Sequence, residues 1–145
     1  MSWSMTSIHE ANVAPTDVYR HYADPTTWGN WGHNTKWGRP MGPVERGATV
    51  EVRVANYPHT YHVKVREVQE GRRIVCEVRP VGVTIVSTYD VTPIEGGSRL
   101  HHTIEISGRL ERPYRLLEGQ YTRMLQDETR RLAELVRSEQ GEVAS

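Results

Sequence analysis

The sequence predicts an α+β domain in which a curved antiparallel sheet of about seven strands surrounds a long C-terminal helix. Over residues 50–106, apolar and polar residues alternate in short runs separated by turn residues, which is typical of antiparallel strands with one buried face. From residue 113 to about residue 140 the apolar spacing becomes that of an amphipathic helix. We expect this helix to cover the apolar face of the sheet, because no other segment has a suitable length and pattern.

Length and charge indicate a single domain without a polyanionic partner. The 145 residues carry 18 basic and 18 acidic side chains, so no net field attracts nucleic acid or an anionic membrane. We therefore expect one domain over residues 1–145, as a monomer or homodimer, with no nucleic-acid partner and no membrane insertion. Residues 141–145 are polar and are expected to form a disordered tail.

Cysteine content and the N-terminal residues favour the cytoplasm. Cys76 is the only cysteine, which excludes an internal disulfide and a cysteine-based metal cluster. The first residues lack the basic and apolar stretches of a signal peptide. The histidines are scattered along the chain, so we expect no metal site and no cofactor.

The N-terminal third predicts a strand followed by two short helices. A weak alternation over residues 4–13 ends at Pro15, which suits the first turn of a helix over residues 16–23. A second short helix carries Trp28 and Trp31 on one face. Residues 34–41 are expected to be irregular.

The alternating segments predict which side chains share the inner face of the sheet. The hairpin at Gly96-Gly97 aligns the last two strands, which places Tyr89 on the same face as His102. The predicted inner-face residues of successive strands are Val50, Val52, Val54, Tyr61, Val63, Val65, Ile74, Cys76, Val78, Ile85, Ser87, Tyr89, Val91, Leu100, His102, Ile104 and Ile106.

The C-terminal helix is predicted to begin at Pro113 and to overhang the sheet. Its length of roughly 40 Å exceeds the ~25 Å of a typical strand. Its apolar stripe consists of Leu117, Tyr121, Met124, Leu125, Leu132, Leu135 and Val136.

Three short motifs resemble the helix-grip superfamily, which contains the START, Bet v 1-like and SRPBCC proteins. Residues 14–19 (APTDVY) resemble its entry to the first helix, residues 23–31 its Asp-x-x-x-Trp second helix, and residues 96–100 (GGSRL) its last hairpin. The polyketide cyclase/dehydrase-like branch is the most similar. The resemblance implies a helix-grip fold with an apolar cavity between sheet and helix, and it places the function in that cavity.

One feature of the aromatase/cyclases is missing. Those proteins resemble one another in a Ser-x-Arg pair on the fourth-strand region, and the matching residues here are Val65-Arg66-Glu67. Their mechanism therefore does not carry over to this chain.

His102 and Tyr89 are the candidate catalytic residues, because an imidazole and a phenol on one wall can transfer protons. A buried, hydrogen-bonded structural histidine is the alternative for His102. A register slip of one residue would replace it with His101.

Glu128 interrupts the apolar stripe of the long helix, where it either orients a polar group of a ligand or reaches solvent at the edge of the stripe. Trp28 and Trp31 either form an aromatic rim at the cavity entrance, as the resemblance implies, or pack the second helix into the core. The predicted ligand-contacting residues are Trp28, Trp31, Tyr61, Val63, Val65, Cys76, Val78, Ser87, Tyr121, Met124 and Glu128.

Three functions are compatible with these residues. The first is binding of a hydrophobic small molecule, polyketide-like or aromatic, with cyclisation or dehydration of it by cavity shape and acid/base groups. The second is a carrier of a lipid, quinone or other metabolite that does no chemistry. The third is a protein-interaction module. The sequence leaves open whether the protein is an enzyme.

Overall fold

The computed structural model describes residues 2–32, 34–55 and 58–144, with side chains as far as residue 140. Seven strands and four α-helices occur in these ranges. They are β1 (Ser2–Ala11), α1 (Pro15–Ala23), α2 (Trp28–Trp31), β2 (Thr35–Pro40), β3 (Thr49–Val54), β4 (Thr60–Gln69), β5 (Arg73–Val78), β6 (Thr84–Ile94), β7 (Gly97–Ser107), α3 (Glu111–Arg115) and α4 (Glu118–Ala144).

The strands form one curved antiparallel sheet in the order β1-β7-β6-β5-β4-β3-β2. Tyr89 pairs with His102 across the β6–β7 hairpin, as the turn at Gly96-Gly97 predicts. The fold prediction, an α+β helix-grip domain with two short helices after the first strand, is confirmed.

The short helices pack against the sheet, α1 on β5, β6 and β7 and α2 on β2. Asp24 accepts a hydrogen bond from the backbone N–H of Thr26 at 3.1 Å and starts a 3-10 turn over Pro25–Thr27 that leads into α2. The indole N–H of Trp28 donates to the carbonyl oxygen of His21 at 3.2 Å. These bonds attach α2 to the end of α1.

Residues predicted to be irregular form the edge strand β2, so that prediction is wrong. β2 pairs with β3 alone, from Thr35 opposite Val54 to Pro40 opposite Val50. Proline is tolerated at the end of an edge strand because it need not donate to a neighbour there. Lys36, Trp37 and Arg39 are all exposed, so β2 lacks the alternation that marks the other strands.

A β-bulge at Arg66 changes the phase of β4. Val65 lies opposite Cys76, whereas Glu67 lies opposite Val75. The extra residue leaves both Arg66 and Glu67 exposed and returns Val68 to the inner face.

The predicted single terminal helix is two helices, α3 and α4. The N–H of Leu116 donates to the carbonyl of Pro113, and that of Leu117 to the carbonyl of Tyr114, three residues back in each case. This tight turn leaves Leu116 and Leu117 exposed, at 88% and 37%, so Leu117 does not belong to the buried stripe. The expected tail, residues 141–145, overlaps the last turn of α4, and its disorder stays a prediction; Ser145 lies outside the described residues.

α4 packs chiefly against β1, β7 and α2, and contributes to two separate core clusters. Leu125 packs with Trp3 and Ile106 in one cluster, whereas Leu132 and Val136 belong to the cluster that contains α1 and α2. Glu128 lies on α4 between these two apolar contacts. No helix in the described part of the chain is long and apolar enough to cross a membrane.

Candidate ligand cavity

A cavity of about 300 Å³ lies between α4 and the inner face of strands β3–β6. Its wall is mostly apolar and aromatic. The lining residues are Trp28, Thr35, Val52, Val54, Tyr61, Val63, Cys76, Glu77, Val78, Pro80, Ile85, Ser87, Tyr89, Ile104, Tyr114, Tyr121, Met124 and Glu128.

The structure brings most of the predicted site residues to this wall. Those that line the cavity are Trp28, Tyr61, Val63, Cys76, Val78, Ser87, Tyr89, Tyr121, Met124 and Glu128. His102, Trp31 and Val65 do not line it. The part that each residue plays in binding or chemistry stays a prediction.

His102 lies on the predicted inner face but behind the cavity wall. It is fully buried, and the rings of Tyr22, Trp31 and Tyr89 enclose it at centroid distances of 5.4, 5.9 and 5.1 Å. A hydrogen bond of 2.8 Å joins its Nε2 to the hydroxyl of Tyr22. The expectation that His102 shares one cavity wall with Tyr89 is therefore corrected: its surroundings are those of the alternative, a structural histidine.

Trp31 and Val65 are also corrected, because both are packed into the core. Trp31 is 2% exposed and makes edge contacts with the rings of Tyr22 and Tyr89 at 6.0 and 5.6 Å. Val65 is 1% exposed and lies just before the bulge in β4. Trp28 alone of the two predicted rim tryptophans reaches the cavity.

Three of the polar side chains at the mostly apolar wall come from α4 and β6. Glu128 comes from α4, and Ser87 and Tyr89 come from alternate positions of β6, which point to the same face. Burial, followed by the nearby Glu128 carboxylate, raises the pKa of Tyr89 well above 10.0. Tyr89 is therefore a neutral phenol at physiological pH and can donate a hydrogen bond to a ligand.

Glu128 is a buried residue, with 7% of its surface exposed. Its Oε2 lies 3.8 Å from Nδ1 of His102, beyond hydrogen-bond length, and Nδ1 has no hydrogen-bond partner among the described residues. Of the two readings of Glu128, the structure therefore favours the one in which it faces the cavity.

Glu77 is the second carboxylate at the cavity, and its surroundings are different. It forms ion pairs with Arg66 at 3.5 Å and Arg79 at 3.0 Å. Its charge is therefore compensated by the protein itself.

Cys76 is a buried wall residue without reactive character. Burial raises the pKa of its thiol from 9.0 to about 12. The thiol is therefore protonated at neutral pH and serves as a small apolar group.

Some wall residues were not predicted as ligand contacts. Val52, Ile85 and Ile104 were assigned to the inner face, and the same alternation could have placed them at the cavity. Tyr114 belongs to α3, which the sequence pattern does not separate from α4. No group of three or more His, Cys, Asp or Glu residues in the described ranges could hold a metal ion.

Solved structures with the same fold include a synthase and a START superfamily protein. Norcoclaurine synthase from Thalictrum flavum, in complex with dopamine and hydroxybenzaldehyde, matches 95% of this chain and 88% of its own, with TM-score 0.72 and 15% identity. A START superfamily protein from Mycobacterium smegmatis matches 93% of this chain and 97% of its own, with TM-score 0.76 and 11% identity.

The di-domain ARO/CYC protein StfQ of the steffimycin biosynthetic pathway matches 97% of this chain with TM-score 0.79 and 12% identity, and this chain spans 52% of StfQ. At these identities the likeness concerns the fold. No curated protein sequence matches this chain significantly.

The sequence itself matches one family model over residues 2–137, which is nearly the whole chain. That match agrees with the three motifs, the helix-grip topology and the cavity beneath α4. The chain therefore belongs to the family described as polyketide cyclase / dehydrase and lipid transport.

Proposed function

We propose that this protein binds a hydrophobic small molecule, aromatic or polyketide-like, in the cavity beneath α4. The observation that carries the proposal is the composition of the wall: an apolar and aromatic surface around about 300 Å³, with Glu128, Tyr89 and Ser87 as polar groups that can orient a ligand. This is the usual chemistry of a small-molecule site. The dopamine and hydroxybenzaldehyde of the norcoclaurine synthase structure are small aromatic molecules, which supports a ligand of this class.

Binding of 2-naphthol, which has an aromatic body and one polar group, tests the proposal. Titration calorimetry on the wild type and on Met124→Trp compares an open cavity with one that a larger side chain fills. We expect measurable binding to the wild type and at least about tenfold weaker binding to the variant. Equal binding by the two proteins contradicts the cavity as the site, and so does a complete lack of binding to the wild type. Met124→Leu, which keeps the side-chain volume, is the matched control.

A second candidate function adds chemistry, cyclisation or dehydration, to binding. It is favoured by Glu128 and Tyr89 at one cavity. In this reaction Glu128 accepts a proton from a carbon between two carbonyls, and the resulting enolate attacks another carbonyl of the same substrate. Tyr89 donates a hydrogen bond to the oxygen that gains negative charge, and protonated Glu128 returns its proton to that oxygen, which gives an alcohol and restores the carboxylate. When dehydration follows, the ring loses a second proton from the neighbouring carbon and the hydroxyl group, which leave together as water.

A synthetic poly-β-ketone thioester tests this second function. Its cyclisation is followed by mass spectrometry and absorbance in the presence of the wild type, Glu128→Gln and Tyr89→Phe. Catalysis requires conversion by the wild type and a large loss in Glu128→Gln. Binding of the thioester without conversion favours a carrier. The burial of His102 behind the cavity wall also favours a carrier, because it leaves the cavity without an imidazole for proton transfer.

A further inference from the structure

We propose that the ligand of this cavity carries a positive charge: an aromatic molecule with a protonated amine that pairs with Glu128. This inference rests on the proposed binding function and narrows its ligand class. The observation that supports it is the set of contacts around the Glu128 carboxylate.

Within the part of the chain that the structure describes, the basic group nearest to Glu128 is His102, which lies beyond hydrogen-bond length. It lies on α4 between Leu125 and Leu132, each of which packs into a separate core cluster. Its side chain is 9% exposed, and the nearest basic nitrogen recorded for it, Nδ1 of His102, is 3.8 Å away. Within the described residues, Glu128 has neither a hydrogen bond nor an arginine or lysine within ion-pair distance.

Binding of an uncharged ligand in the cavity carries a free-energy penalty at the Glu128 carboxylate. An apolar ligand displaces the solvent that reaches Glu128 and supplies no donor in exchange, so a buried charge is left without compensation. A ligand ammonium group removes that penalty, because it donates hydrogen bonds and brings the opposite charge. The cavity therefore distinguishes a cationic ligand from a neutral one of the same shape.

The remaining wall groups favour the same charge. Trp28, Tyr61, Tyr89 and Tyr121 supply aromatic rings, whose faces attract a cation and stack on an aromatic ligand. The lining residues include no lysine and no arginine. Glu77, the other wall carboxylate, is compensated by Arg66 and Arg79 and does not attract a second cation in the same way.

His102 is the protein group that could take the place of the ligand cation. A shift of Glu128 toward Nδ1 would give the carboxylate one hydrogen bond if Nδ1 carried a proton besides the one on Nε2. With that contact, the second carboxylate oxygen still faces the cavity. A carboxylate paired with His102 in this way would show no preference for a charged ligand over a neutral alcohol. The two possibilities therefore give different binding selectivity.

Three ligands that share one aromatic body test the inference: 2-naphthylmethylamine, 2-naphthylmethanol and 2-naphthoic acid. Their dissociation constants are measured by calorimetry near pH 7 with the wild type, Glu128→Gln and Glu77→Gln. In the wild type we expect the amine to bind at least about tenfold more tightly than the alcohol, and the acid to bind most weakly. Glu128→Gln should remove the preference for the amine, and Glu77→Gln should keep it.

The outcomes separate this inference from the function on which it rests. Equal binding of amine and alcohol by the wild type overturns the cationic ligand and leaves the binding function intact. A preference that survives in Glu128→Gln also overturns it. Binding of none of the three ligands overturns the proposed function as well. The comparison within the wild type decides the question even if Glu128→Gln fails to fold, which circular dichroism would reveal.

Discussion

The hydroxyl of Tyr22 lies 2.8 Å from Nε2 of His102, and both side chains are fully buried. Tyr22 belongs to α1 and His102 to β7, so this contact joins residues 80 positions apart in the chain. The same hydroxyl donates to the backbone carbonyl of Asp90 on β6 at 3.3 Å. One phenol therefore fixes α1 on two neighbouring strands, β6 and β7, behind the cavity.

We expect Tyr22→Phe to destabilise the protein by about 1–3 kcal/mol, because it leaves the imidazole nitrogen buried without a partner. The free energy of unfolding from urea denaturation measures this loss. Tyr121→Phe is the matched control: its hydroxyl belongs to a half-buried ring on the cavity wall, and its removal should change stability by no more than about 0.5 kcal/mol. Equal losses in the two variants would show that the Tyr22–His102 bond has no special importance.

The face of each residue could be predicted from the sequence, but its depth could not. Alternation in β7 correctly predicted that His102 points inward and His101 outward. The cover over His102 comes from α1, α2 and β6, and the pattern within β7 contains no information about those elements. The same limit applies to Trp31, whose helical spacing from Trp28 fits a cavity rim and a packed core equally well.

The elements predicted wrongly are those that form through contacts with residues distant in the sequence. β2 forms because an edge strand can pair with β3 while most of its side chains are exposed. The break between α3 and α4 occurs at Leu116 and Leu117, which are good helix formers by themselves but are exposed here. Two exposed leucines in succession do not differ, as a local pattern, from the start of an amphipathic stripe.

Glu128 illustrates the reverse case, in which a sequence pattern pointed directly to the site. An acidic residue between Leu125 and Leu132 interrupts an apolar stripe. A buried carboxylate at such a position lowers the stability of the fold unless it meets solvent or a polar partner. The structure shows that the carboxylate faces a cavity rather than bulk solvent. The sequence could not show which ligand group it meets.

A pair of glycines, one in β2 and one in α4 as its control, tests how closely β2 packs against the 3-10 turn. A Cβ at Gly38 of β2 would lie 2.5 Å from the carbonyl oxygen of Pro25, whereas one at Gly119 in the first turn of α4 meets nothing within 4 Å. We expect Gly38→Ala to destabilise the protein by about 1–3 kcal/mol through this overlap. Gly119→Ala should stabilise it by about 0.5–1 kcal/mol, because alanine restricts the unfolded chain and favours the helix. Thermal denaturation of both variants measures the effects, and a stabilised Gly38→Ala variant would contradict the close approach of β2 to the 3-10 turn.

The thiol of Cys76 offers a probe of the cavity wall. Because burial raises its pKa from 9.0 to about 12, the thiolate fraction at neutral pH falls by about three orders of magnitude. We expect iodoacetamide to modify the native protein at least about a thousandfold more slowly than the protein in urea at the same pH. Mass spectrometry of timed samples measures the two rates. Comparable rates would show that Cys76 is exposed to solvent or that its thiolate is stabilised.

Alkaline pH should destabilise the protein, and the direction follows from three buried groups. The pKa values of Tyr22 and Tyr89 are raised well above 10.0, chiefly by burial, and that of Cys76 is raised from 9.0 to about 12. In each case the unfolded chain loses its proton at a lower pH than the folded protein. The unfolded state therefore binds fewer protons above about pH 9, and the free energy of unfolding falls as the pH rises.

The contribution of Cys76 to this fall can be isolated with Cys76→Ala. The stability contributed by the protonated thiol is fully present below about pH 9 and is lost as the pH approaches about 12. One proton corresponds to a slope of about 1.4 kcal/mol per pH unit, so the variant should lose stability less steeply than the wild type by up to that amount. Urea denaturation at a series of pH values gives both curves. Parallel curves above pH 9 would mean that the thiol ionises equally easily in the folded and unfolded states, and hence that the cavity wall around Cys76 is not dry.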